Sequence, residues 1–158
     1  GVKMVRVESA RQMLAACEAA LPVDAAVCAA AVADWRVAEE AACKIKKTGT
    51  TAPVLALTEN PDILSAIAKA GNRRPRLVVG FAAETDKVLD NALAKRQAKG
   101  CDWIVANDVS PGTGAIGGDA NTVHLITVGG VENWPPMSKP AVAERLAERI
   151  SEALEAAS

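Results

Sequence analysis

The sequence predicts an α/β domain, a Rossmann-like and mostly parallel sheet with helices on both faces and a C-terminal hairpin. Three observations carry that expectation. Residues 23–33 are an almost unbroken run of small and apolar side chains, the pattern of a strand buried on both faces. Further strand-length apolar runs alternate with helical segments, as βαβ units do. Near the end, two β-like runs flank Gly129-Gly130, a hairpin signal.

The elements follow in order. Residues 1–7 read as a link or a strand entered midway, with no initiator Met, so the chain is expected to be a domain lacking its N-terminal segment. Met13, Leu14, Cys17 and Leu21 recur at helical spacing and predict a helix over 9–21, stopped by Pro22. The buried strand follows, then a short second strand over 54–58. Asn60-Pro61-Asp62 signals a helix start, with Asn60 as the capping side chain, proline at the first helical position and an acid in the first turn. That helix is expected to end at Gly71. Residues 77–82 are another apolar strand, and Glu84-Thr85-Asp86 is expected to cap a helix running to Gly100. A fourth strand covers 103–106, and a loop rich in Gly, Pro, Asp and Asn covers 107–121. The hairpin pairs 122–127 with 131–134. A last amphipathic helix carries Val142, Leu146, Ile150 and Leu154 on one stripe.

The chain of 158 residues, 50% hydrophobic, suits one domain (1–158) with a single sizeable core. Its net charge of -1 argues against a general nucleic-acid or membrane-surface binder, and no stretch is apolar enough to span a bilayer. Cys17, Cys28, Cys43 and Cys101 are scattered, and His124 is the one histidine, so neither a zinc site nor a disulfide framework is indicated. Unpaired thiols without a visible signal peptide suit the cytoplasm.

The chemistry-bearing residues cluster where the first buried run ends. Asp34-Trp35-Arg36 closes it, and ten residues past the acid comes Lys44-Ile45-Lys46-Lys47. In open α/β sheets ligands bind beyond the carboxyl ends of the strands. An acid followed by clustered ammonium groups there suits a polyanion that carries hydroxyls or a metal, such as a nucleoside triphosphate. The same residues also suit a strand-end turn with solvated lysines. In an extended segment Lys44 and Lys46 share a face, and residues 48–51 are small enough to act as a flap. Lys95 and Lys99, four apart, lie on one helix face, where they also complement the helix dipole. Phe81, the one Phe, fits either stacking on a base or core packing. His124 is expected to be a structural strand residue, and Ser110 has no suitably placed His for a hydrolase triad. Gly112-Thr113-Gly114-Ala115-Ile116-Gly117 matches the dinucleotide fingerprint by letter. It lacks the strand directly before it and the helix after it, so it is read as an irregular loop.

Five stretches taken together resemble the bacterial phosphopantothenate–cysteine ligases (phosphopantothenoylcysteine synthetases). They are residues 30–36, 44–47, 60–64, 79–85 and 106–110, and their order and spacing cover nearly the whole chain. In that family the ligase is usually the C-terminal half of a bifunctional protein whose N-terminal half is a flavin-dependent decarboxylase containing FMN. The resemblance implies a CTP- and Mg²⁺-dependent coupling of 4'-phosphopantothenate to cysteine through an acyl-cytidylate, in coenzyme A synthesis. It further implies that Cys28, Ala29 and Ala30 offer main-chain groups to the nucleotide, and that Asp34 holds ribose hydroxyls or the metal. Pro61, Asp62, Ile63 and Leu64 would set a helix start at the nucleotide, Phe81 would pack on it, and Lys95 and Lys99 would meet its phosphates. Lys44 would face the substrate carboxylate and the α-phosphate, as the catalytic residue. A homo-oligomer, a dimer, and a decarboxylase half in cis are the implied protein partners. The family's upstream glycine-rich phosphate loop and its asparagine-bearing stretch have no counterpart here. Residues 1–158 alone are therefore expected to self-associate and to lack ligase activity. The alternative reading is a non-catalytic nucleotide-binding or interaction module that retains the sheet.

Overall fold

The computed structural model describes residues 1–39, 54–110 and 120–156. Its centre is a five-stranded sheet of order β1-β4-β5-β7-β8, built from Ala25–Cys28 (β1), Leu77–Glu84 (β4), Trp103–Asp108 (β5), Val123–Thr127 (β7) and Gly130–Asn133 (β8). β1, β4 and β5 run parallel; β7 adds antiparallel to β5 and β8 antiparallel to β7, so the expected hairpin closes the sheet at one edge, while Ala120–Asn121 (β6) and Met137–Ser138 (β9) form a separate short antiparallel pair.

Side chains alternate along the central strands and divide the core in two. Val78, Ala82, Ile104 and Ala106 face helices α1 (Ala10–Ala20), α2 (Ile63–Ala68) and α3 (Val88–Lys99), meeting Ile67, Ala92 and the partly buried Met13 and Leu14. Leu77, Val79, Val105 and Leu125 face the other way, onto Val142, Leu146, Ile150 and Leu154 of α4 (Lys139–Ala156). Helices thus cover both faces, and the stripe read from the sequence is the one α4 buries. Arg149 on α4 grips Glu132 of β8 through two nitrogens and also meets Glu152. That fork, opposed by partial burial, holds the Glu132 carboxyl below its ordinary range.

Several expectations are corrected. The run over 23–33 forms a strand only at Ala25–Cys28; residues 29–33 have no regular structure. The strand read at 54–58 is Leu57–Glu59 (β3), and it does not enter the sheet. It pairs antiparallel with Trp35–Val37 (β2) in a separate ribbon, with Trp35 opposite Glu59. Apolar content could not separate the two fates, because a ribbon needs only a partner of matching length. Asp62, not Asn60, caps α2, its carboxylate accepting from the Ser65 N–H at 3.0 Å. That helix ends at Ala68, before a 3₁₀ turn at Gly71–Arg73. Glu84-Thr85-Asp86 does not cap α3. β4 runs on to Glu84, and Lys87 enters the helix in the left-handed region, at φ 45, with no side-chain cap. Asn91 holds that corner instead, donating to the Asp86 carbonyl at 2.9 Å. β5 also extends two residues beyond the expected 106.

Other expectations hold. The first helix forms as Ala10–Ala20 within the expected 9–21, and the structure adds a capping box of Ser9 and Gln12 at its start. Gly100, at φ 72, closes α3 where a Cβ would be strained. His124 sits in β7, its Nδ1 2.7 Å from Asn133 Oδ1 on the neighbouring strand. Val2, Met4 and Val5 lie exposed in an N-terminal stretch without regular structure, and β1 is the sheet's edge strand. The Ser110 N–H donates to the Asp108 carboxylate and its hydroxyl to the Thr85 carbonyl, the bonds of a strand-end turn. The glycine-rich loop at 112–117 lies outside the described residues, as does Cys43. Among the described residues no helix is long and apolar enough to cross a membrane.

Candidate functional site

Where β1 and β4 end, their chains part and leave a cleft of about 510 Å³. The rule for open α/β sheets places a ligand there. One wall is the chain leaving β1, with Cys28, Ala29, Ala30 and Asp34 lining the space. Opposite stands the start of α2, with Pro61, Asp62, Ile63 and Leu64. Phe81 of β4 and the pair Lys95 and Lys99 of α3 complete the lining. The structure therefore gathers, around one cleft, every candidate residue that falls in the described part of the chain. Lys44 lies outside the described residues, as do Lys46, Lys47 and the flap at 48–51.

The groups differ in how free they are. Lys99 Nζ lies 2.6 Å from Asp62 Oδ2, so the ammonium expected to meet phosphate is already ion-paired. Burial pushes the Asp62 carboxyl up, but the Lys99 contact, the Ser65 N–H and the charge of Lys69 together hold it below its ordinary 3.8. Lys95 is half-buried and has no ion pair among the described residues. Asp34 is exposed, and no partner of its carboxylate occurs among the described residues. Burial raises the Cys28 thiol, and neighbouring Cys17, Cys101 and Asp62 raise it further. Cys28 therefore stays protonated near neutral pH and is no nucleophile; its contribution is shape and main chain. Phe81 reaches the cleft but packs mainly with the α4-side core, which leaves its ring half-buried rather than free.

A depressed Asp62 value means that its charged form contributes stability above the unfolded pKa, a contribution lost as pH falls through the lower, folded value. Followed by carboxyl NMR, Asp62 should titrate below 3.8, and Lys99→Gln should move that midpoint upward, because burial is then less opposed. An unmoved midpoint in the variant would show that the ion pair does not set the titration.

Sequence reasoning missed further parts of the wall, Val27, Val32 and Ala33 on the β1 side among them. Met13 and Cys17 of α1, read as a core stripe, also line the cleft. Asn60 lines it as well, and its amide bonds to the Ala33 carbonyl at 2.8 Å instead of capping the helix. Only Asn60 had a sequence signal, since an Asn before Pro has its backbone biased away from the helical region.

Residues 1–154 match the family model described as DNA/pantothenate metabolism flavoprotein C-terminal domain. The chain belongs to that family. It is 40% identical over 160 residues to the coenzyme A biosynthesis bifunctional protein CoaBC of Mycobacterium tuberculosis, covering 95% of this chain and 38% of the relative. The match to CoaBC of Escherichia coli K12 is also 40%, over 152 residues, covering 94% of the chain and 37% of the relative. The chain thus spans well under half the length of these relatives. Among solved structures, the C-terminal domain of a CoaBC protein superposes with a TM-score of 0.71 at 31% identity, covering 96% of this chain and 67% of that one. A Streptococcus pneumoniae DNA/pantothenate metabolism flavoprotein shares the fold, with a TM-score of 0.69 at 18% identity. The α/β fold and the family read from the sequence are both shown.

Proposed function

We propose that this domain binds CTP and, in the complete enzyme, ligates 4'-phosphopantothenate to cysteine in coenzyme A biosynthesis. The observation that carries the reading is the cleft at the strand ends, where Asp34, the Asp62–Lys99 pair and Lys95 meet apolar walls. The named relatives, coenzyme A biosynthesis proteins, support it.

In this reading the substrate carboxylate attacks the α-phosphorus of CTP and pyrophosphate leaves. The amine of cysteine then attacks the acyl carbon, and CMP departs as the new amide forms. Lys95, which has no ion pair among the described residues, meets phosphate oxygens directly. Lys99 does so only by exchanging Asp62 for the ligand, so part of its charge is spent before the nucleotide arrives. Asp34 faces ribose hydroxyls or Mg²⁺. No group of three or more His, Cys, Asp or Glu suited to a metal occurs among the described residues. Mg²⁺ usually takes one or two carboxylates and completes its shell with substrate phosphates and water, so it would need no such group. Mg²⁺ supplies charge neutralisation at the phosphates; the chain supplies Asp34. FMN belongs, in this reading, to the decarboxylase half of the bifunctional relatives.

Association is proposed through the β2–β3 ribbon. An isolated two-stranded ribbon is marginal in water, and this one exposes 55% of Trp35 and 58% of Leu57. A cytoplasmic homodimer is the form expected, and sedimentation showing only monomer would contradict it.

Calorimetry tests the ligand. Saturable binding of CTP with Mg²⁺ is expected, with ATP weaker by roughly tenfold or more, the equivalent of about 1.4 kcal/mol. Equal affinity for the two nucleotides, or none for either in the intact ligase, would remove the reading and favour a module with a non-catalytic role.

A further inference from the structure

We propose that Asn60 is a positioning residue that holds Asp34 at the mouth of the cleft, a role that rests on the nucleotide reading above. Two hydrogen bonds from this one residue reach the neighbouring wall. Its side-chain amide donates to the Ala33 carbonyl at 2.8 Å, and its main-chain N–H donates to the Asp34 carbonyl at 2.7 Å. Both acceptors belong to the turn that carries the Asp34 carboxylate. With the two carbonyls occupied, the carboxylate is the acidic group this turn presents to a ligand.

Beyond Val32, which packs against the core, and the β2–β3 pairing that starts at Trp35, the two bonds from Asn60 order this turn among the described residues. Residues 29–33 carry no regular structure, and Asp34 is exposed. Loop residues lose conformational freedom when a ligand fixes them, and a clamp in place beforehand lessens that cost on binding. Asn60 is available for the task because Asp62 caps α2. Pro61 assists, since the residue before proline is pushed toward extended backbone. In that conformation Asn60 continues from β3, alongside the turn that leads into β2. Asn60 therefore ties the Asp34 wall of the cleft to the α2 wall, two parts of the chain that the central sheet does not join.

Substitution separates this role from that of a helix cap. Asp caps helices as well as Asn, so Asn60→Asp is neutral if Asn60 is a cap. A carboxylate has no N–H to donate and would face the Ala33 carbonyl with like polarity. Asn60→Asp and Asn60→Ala should therefore both weaken Mg–CTP binding, by roughly tenfold, the net worth of about one hydrogen bond. In Asn60→Asp the amide proton of residue 60, still present, should exchange faster without nucleotide, while circular dichroism stays that of the parent. An Asn60→Asp protein with parental exchange and affinity overturns the proposal. So does faster exchange with unchanged affinity, which would leave the clamp without a role in the site. If the parent chain binds no CTP, the nucleotide reading falls and takes Asn60's role toward a ligand with it. The exchange comparison would then still decide whether Asn60 holds the turn.

Discussion

Replacing Lys44 by Gln in the active enzyme that contains this chain should nearly abolish the first half-reaction. The expected loss is on the order of 10²–10³ in rate, by analogy with removing a single donor from an oxyanion hole. The reasoning is electrostatic. Attack of a carboxylate on the α-phosphorus brings two anions together, and charge builds on the phosphate oxygens as pyrophosphate leaves. Among the described residues the cleft is not rich in free cations to offset it. Of the two lysines that line it, Lys99 is bound to Asp62 at 2.6 Å, and only Lys95 has no ion pair among the described residues. The stretch that carries Lys44 starts and ends on the β2–β3 ribbon, where the Ala38 N–H meets the Ala56 carbonyl at 2.8 Å. The opposite end of that ribbon lies next to Asp34 and Asn60, both of which line the cleft. Gln keeps the length and polarity of the side chain without its charge. Pyrophosphate release from CTP and 4'-phosphopantothenate, measured without cysteine, is the direct assay. A near-parental rate would make Lys44 a solvated residue and return the charge problem to Lys95.

What could be read from the sequence depended on whether a residue's role was set by its neighbours in the chain or across it. The stripe on α4, the helical spacing of α1 and Gly100 are local patterns, and each appears where periodicity or turn chemistry puts it. Asp62 and Asn60 show the limit. Both were expected at a helix start, but which one caps depends on where the Ala33 carbonyl lies, and that is fixed by a segment 27 residues away. The ribbon strand β3 is a like case. Its sequence suits a sheet, yet its partner is β2 rather than β4. The Lys99–Asp62 pair, 37 residues apart, could not be inferred from the four-residue spacing of Lys95 and Lys99. The spacing puts both on the cleft side of α3, while the fold decides that one of them is already neutralised.

Gly80 gives the last and most local test of how the sheet shapes the cleft. It lies in β4 between Cys28 of β1 and Ile104 of β5, on the face covered by α2. A Cβ built there would stand 2.5 Å from Leu64 Cδ2 and 2.9 Å from Ile104 Cδ1, both too close for carbon atoms. The two neighbours cannot yield equally. Ile104 is fully buried between strands and helices, whereas Leu64 is half-buried and borders the cleft. Added volume is therefore expected to drive Leu64 into the ligand space. Gly80→Ala should fold and lose most of its affinity for Mg–CTP, with a smaller loss of stability than full overpacking brings. Gly80→Val, whose extra methyls have no such outlet, should also lose about 1–3 kcal/mol of stability, the usual cost of overpacking a core. Denaturant melts beside calorimetry separate the two effects. If Gly80→Ala kept parental affinity while losing stability, the strain would be going into the core through Ile104, and Leu64 would not be the part of the wall that gives.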